Sequence, residues 1–164
     1  MKGVILAGGL ATRLRPLTLV TNKHLLPIYN KPMIFYPLEA MKKAGIKEAL
    51  IVTGPNHAGQ FLNLLKSGED FGMRLTYEIQ DQPGGIAQGI ALAESFADSQ
   101  KLLVVLGDNI FTYNLLSDVA KFEKEEKGSR VFAIEMPTES GQYGVVEVDS
   151  ANKGDVIGLK TETE

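Results

Sequence analysis

An α/β fold with a mostly parallel sheet is predicted from three features of the chain. Short apolar runs of strand length, Lys2–Leu6, Ala49–Thr53, Leu75–Ile79 and Lys101–Leu106, alternate with stretches of helical spacing. Strand, helix, strand order demands crossovers, and a crossover connection makes neighbouring strands parallel. Two of the runs also lead into glycine-bearing turns, at Gly8-Gly9 and Gly84-Gly85, placed where ligands approach an open parallel sheet. With 164 residues, 44% of them hydrophobic, the chain is the size of a single domain, 1–164, around one good core.

The opening strand ends at Gly8-Gly9, where the backbone can turn tightly and be approached closely because neither residue carries a Cβ. Arg13 and Arg15 follow. The stretch reads either as a phosphate cradle, with backbone N–H groups as an anion nest and arginine as a bidentate grip, or as an ordinary glycine-rich turn with solvated arginines. Pro27, Asn30 and Pro32 make Thr18–Pro32 an irregular connection. Within it Lys23 is a surface lysine or a cation set beside an apolar anchor, and His24, next to two leucines, reads as a packed residue.

Ile34, Leu38 and Met41 recur at helix spacing, with Lys42-Lys43 near the end and Gly45 just after, so a helix is expected over Ile34–Ala44. A buried strand, Ala49–Thr53, closes at Gly54-Pro55. A short helix over Ala58–Lys66 and a third strand, Leu75–Ile79, come next. In the turn after it, Gln80 and Gln82 are either readers of a nucleobase imide edge, since an amide both donates and accepts, or caps of a turn. A single helix is expected over Ile86–Ala97, with Ile90, Ala93 and Ala97 on one face.

Lys101–Leu106 is the most apolar run and is expected at the centre of the sheet, because buried parallel strands are near-continuously hydrophobic. It runs into Gly107-Asp108-Asn109. A carboxylate at that point suits Mg²⁺, which takes one or two carboxylates together with phosphates and water, or it caps a turn. An amphipathic helix over Asn114–Lys127 follows, then strands at Val131–Met136 and Tyr143–Val148, the latter with a hairpin partner at Asp155–Leu159. The polar close, Lys160–Glu164, reads as an interrupted end.

Charge and composition exclude several classes of function. A net charge of -3 argues against non-specific adhesion to nucleic acid or to anionic membranes. Without cysteine there is no disulfide framework, thiolate metal site or cysteine nucleophile. The N-terminal apolar run is too short for a signal peptide, and no run approaches a membrane span, so a cytoplasmic protein is expected.

The run Gly8 to Thr18, followed by Lys23-His24-Leu25-Leu26-Pro27 and Lys31-Pro32-Met33, resembles the signature of the sugar nucleotidyltransferases. Gln80 with Gly85-Ile86-Ala87-Gln88, Leu106-Gly107-Asp108-Asn109-Ile110-Phe111 and Tyr143-Gly144-Val145-Val146 occur in the order and spacing of the family's thymidylyl-transferring members. The resemblance implies a Rossmann-like, three-layer αβα fold. It also implies transfer of a thymidylyl group from dTTP, or a uridylyl group from UTP, to glucose 1-phosphate with release of pyrophosphate. Arg13 would hold the leaving phosphates, Lys23 the reacting phosphate, and Asp108 the Mg²⁺ cofactor. Gly8, Gly9, Ala11, Thr12 and His24 would line the nucleotide, Gln80 and Gly85 would read the base, and Asn109, Tyr143 and Gly144 would meet the sugar phosphate.

Three departures from the pattern carry expectations. Ala11 stands where the family has glycine, so its methyl is expected to fit at a negative φ. The family's Glu-Lys-Pro segment is not matched by Lys160-Thr161-Glu162-Thr163. Family members also continue further, with a second metal carboxylate, more of the sugar pocket and a homo-oligomer interface. This stretch is therefore expected to be the nucleotide-binding portion, with weaker metal and sugar binding.

Overall fold

A computed structural model describes residues 1–9, 11–135, 144–149, 151 and 154–160. They form two compact units, Met1–Glu126 and Lys127–Glu164. The first unit opens with β1 (Lys2–Ala7), continues through 3₁₀ turns at Thr12–Leu14, Leu17–Leu19 and Lys23–Leu25, and then forms a small hairpin of β2 (Pro27–Ile28) and β3 (Lys31–Pro32). It proceeds through α1 (Phe35–Lys43), β4 (Glu48–Thr53), α2 (Ala58–Leu65), β5 (Arg74–Ile79), α3 (Gly85–Ala91), α4 (Glu94–Ala97), β6 (Leu102–Leu106) and α5 (Leu116–Lys124).

The sheet of this unit has the strand order β5-β4-β1-β6, with every neighbouring pair parallel. Ile5 sits at the middle of the register, opposite Ile51 on one side and Val105 on the other. Because side chains alternate along a strand, Ile5, Ile51 and Val105 face one side, packed with Leu38 and Met41 of α1, Phe61 and Leu65 of α2 and Val119 of α5. Val4, Leu50 and Val52 face the other, against Leu92, Ala93 and Phe96. Helices therefore cover both faces, and the αβα layering holds. All four strands end at one edge of the sheet, and Gly8, Gln80 and Gly107 stand at the exits of β1, β5 and β6.

α1 forms as its spacing predicts. Leu38 and Met41 are fully buried, Pro37 lies within the first turn where its missing N–H costs nothing, and Gly45 ends the helix at φ +85°. The expected helix over Ile86–Ala97 instead divides into α3 and α4. The Ala93 N–H bonds to the Ile90 carbonyl, three residues back, which tightens the ladder and breaks it there. The strand expected at the centre, β6, is the edge strand of the described sheet. Its apolar run is used on its two faces, with Leu103 and Val105 buried on one and Val104 packed on the other, not by pairing on both edges.

In the second unit β7 (Val145–Val148) and β8 (Val156–Lys160) pair antiparallel, as expected, with a register irregularity at Glu147/Val148. Val131–Glu135, expected as a strand, is irregular: it pairs with no strand among the described residues, and Val131, Phe132 and Ile134 are exposed. Met136 lies outside the described residues. Among the described residues no helix is long and apolar enough to cross a membrane.

Candidate active site

The converging strand ends leave a cleft of about 270 Å³ in the first unit. Gly8 and Gly9 line it from the exit of β1, Gln80 from the exit of β5, and Leu106 and Asp108 from that of β6. Lys23 and His24 enter from the 3₁₀ turn Lys23–Leu25, and Pro83, Gly85 and Ile86 from the start of α3. Seven of the residues singled out in the sequence thus meet in one place: Gly8, Gly9, Lys23, His24, Gln80, Gly85 and Asp108.

At the polar end Lys23 Nζ donates to Asp108 Oδ2 at 2.5 Å, an ion pair that is only partly exposed. Burial pushes the Asp108 carboxyl up, but the hydrogen bond and charge of Lys23 outweigh it, and the net displacement is downward. The carboxylate therefore stays ionised. His24 is buried, and burial first and the Lys23 charge second lower its imidazole to about 4, against the pull of Asp108 in the other direction.

Asn22 builds this end of the site, and no motif drew attention to it. Only 5% exposed, it donates from Nδ2 to the Ala7 carbonyl at 3.1 Å, while its Oδ1 accepts from the His24 backbone N–H at 3.0 Å. His24 Nδ1 lies 2.6 Å from the same oxygen. The backbone partners fix which way the Asn22 amide points, so in the neutral ring Nδ1 carries the proton and Nε2 is left as an acceptor. The readable signal was an asparagine just before a short turn, the position at which a side-chain oxygen caps. Gly107 makes room for the ring, since a Cβ there would lie 2.6 Å from His24 Cδ2.

Other candidates stand apart. Ala11, Thr12 and Arg13 do not line the cleft; Arg13 is exposed and makes no hydrogen bond or ion pair among the described residues. Ala11 does not take the negative φ expected of it: it lies at φ +47°, ψ +47°, the left-handed region that favours glycine. Its carbonyl is held in that orientation by the Thr18 hydroxyl at 2.9 Å and the Leu14 N–H at 3.0 Å. Asn109 folds back, its Oδ1 accepting from the Leu106 N–H at 3.3 Å, so it serves the strand end and does not line the cleft. Gly144 belongs to the second unit, just before β7, and Tyr143 lies outside the described residues.

Among the described residues no three of His, Cys, Asp and Glu gather as a metal cage. Among its described residues, the cleft offers a cation one ionised carboxylate, at Asp108. That set fits Mg²⁺ when phosphate oxygens and water complete the shell.

A sequence model described as nucleotidyl transferase matches residues 2–160. The chain is 39% identical over 153 residues to a glucose-1-phosphate thymidylyltransferase of Actinoplanes sp., a match covering 93% of the chain and 50% of the relative. It is 42% identical over 150 residues to a protein of the same name from Neisseria gonorrhoeae, covering 91% and 52%. The chain thus spans about half the length of these curated relatives. A crystal structure from Bacillus anthracis, provisionally described as a glucose-1-phosphate thymidylyltransferase in complex with a sucrose, superposes with a TM-score of 0.89 at 38% identity. That match covers 99% of this chain and 65% of the other.

Proposed function

Because this chain belongs to the nucleotidyl transferase family, we propose that it carries the nucleotide-binding half of a site that transfers a thymidylyl group from dTTP to glucose 1-phosphate. The observation that carries this reading is the juxtaposition, in one cleft, of the Lys23–Asp108 pair with Gln80 and the glycines of β1. A phosphate chain needs the first, a nucleobase the second, and close backbone approach the third.

In the reaction a phosphate oxygen of glucose 1-phosphate attacks the α-phosphorus of dTTP and pyrophosphate leaves, so no protein nucleophile is required. The protein's contribution is then positioning and charge. Lys23 lies on the reacting phosphate. Gly8 and Gly9 give the nucleotide close approach, with Ala11 and Thr12 beyond them, and Arg13, exposed and uncommitted, reaches the leaving phosphates. Gln80 and Gly85 read the base; Asn109, Tyr143 and Gly144 are assigned to the sugar phosphate on family resemblance alone. Asp108 would hold Mg²⁺, which would supply neutralising charge to the phosphates.

The test is a pyrophosphate-release assay with Mg²⁺ and glucose 1-phosphate, run with dTTP and with UTP. Turnover with dTTP is expected. UTP is expected to be the slower substrate by about tenfold or more, as one methyl is worth about 1–3 kcal/mol. A second reading, a nucleotide-binding module without turnover, is favoured by the single carboxylate that the described residues of the cleft offer a cation. Saturable dTTP binding with no pyrophosphate released would select it over the first.

A further inference from the structure

Resting on the nucleotide reading of the cleft, we propose that Gln88 is a positioning residue that turns the Gln80 amide so that its oxygen faces the nucleobase. The site then selects a base bearing a ring N–H. The fixed point is a backbone group. The Gly84 N–H can only donate, and it is shared between the Gln82 carbonyl at 2.8 Å and Gln88 Oε1 at 2.9 Å, so Gln88 presents its oxygen there, not its nitrogen. Gln80 Nε2 lies 2.7 Å from that same oxygen and 3.2 Å from the Gly85 carbonyl, which can only accept. An amide nitrogen with two hydrogens satisfies both, whereas a flipped Gln80 would set oxygen against two oxygens.

Gln80 Oε1 is the atom left over, and it looks toward the β1 exit, where a Cβ on Gly8 would lie 2.7 Å from it. Gly8 and Gln80 both line the cleft. Two glycines therefore make room for two amides, because a Cβ on Gly84 would collide with the Gln88 amide in the same way. An acceptor in this position pairs with the N3–H of thymine or uracil. It opposes the lone pair on cytosine N3 or adenine N1, leaving two acceptors face to face. Guanine has a ring N–H of its own, so the discrimination is against cytosine and adenine.

The test is calorimetric titration of the chain with dTTP, dCTP and dATP, for the wild type, Gln88→Met and Gln88→Glu. The wild type is expected to prefer dTTP to dCTP by about tenfold or more, as an acceptor set against an acceptor loses its hydrogen bond. Gln88→Met removes the nearer of the two acceptors that hold the Gln80 nitrogen, leaving the Gly85 carbonyl, and should lower that ratio by about threefold or more. Gln88→Glu keeps an acceptor for both the Gly84 N–H and Gln80 Nε2. It should restore the ratio even if its charge weakens every nucleotide alike. A dTTP preference that Gln88→Met leaves unchanged, or that Gln88→Glu fails to restore, overturns the proposal while leaving the nucleotide site intact. Failure of the wild type to bind any of the three overturns the nucleotide reading and this proposal together.

Discussion

His24 is a motif residue that burial has turned into a pH-dependent element of stability. Its imidazole falls from 6.5 to about 4 in the folded chain, so between those values the unfolded state binds the extra proton and the folded state does not. Stability rises with pH wherever the unfolded state holds more protons, so the chain should lose about 3 kcal/mol as pH falls from 6.5 to about 4 and change little from this source above 6.5. Urea unfolding at a series of pH values measures the slope, and His24→Gln should flatten it. Arg13 is the opposite case, exposed and unbonded among the described residues. Arg13→Ala should leave the unfolding midpoint where it is and lower turnover about tenfold or more, as for a donor lost from a transition state. A shifted midpoint would show the side chain to be structural. Ala11 marks where residue-level reading stopped: alanine is ordinarily restricted to negative φ, and only the bonds from Thr18 and Leu14 to its carbonyl show why the turn takes the left-handed form at a cost of about 1 kcal/mol.

Among the elements, those with a clear period were legible and those set by partners were not. β1, β4, β5 and α1 follow from apolar runs and from Leu38 and Met41 at helix spacing. The edge position of β6 does not, because a strand's own sequence reports how its faces are buried and says little about which strands flank it. The break between α3 and α4 depends on one tightened bond at Ala93 that no spacing announces. The turn at Lys23–Leu25 is legible only as irregular chain, yet it delivers two cleft residues because Asn22 ties it to the end of β1. Asn22→Ala leaves the buried Ala7 carbonyl without its donor and the turn without its cap. It should cost about 1–3 kcal/mol and weaken nucleotide binding together, as read by denaturation and calorimetry on one sample.

For the whole molecule, the parallel topology does most to build the site. It brings Gly8, Gln80 and Asp108, far apart in the chain, to one edge, which is why glycines and polar residues after apolar runs read as a site in the sequence itself. Family resemblance supplied the roles of Asn109, Tyr143 and Gly144, and residue chemistry alone gave no hint of them. Among the described residues, every one that lines the cleft lies in the first unit. A chain ending at Glu126 should therefore bind dTTP within about threefold of the longer chain, less than the 1.4 kcal/mol that a tenfold change represents. Calorimetry on the two chains checks this, and a loss beyond tenfold would show that residues of the second unit contact the nucleotide.

The Lys23–Asp108 pair has a consequence for what can enter the cleft. Without ligand each residue acts as the other's counter-ion, so the site is electrically closed. A phosphate arriving alone draws Lys23 away and strands a half-buried carboxylate, and a divalent cation arriving alone displaces Lys23 and strands its ammonium. A guest carrying both charges at once exchanges both partners in one step. The pair thus works as a two-key lock, with each key raising the affinity for the other by the same factor.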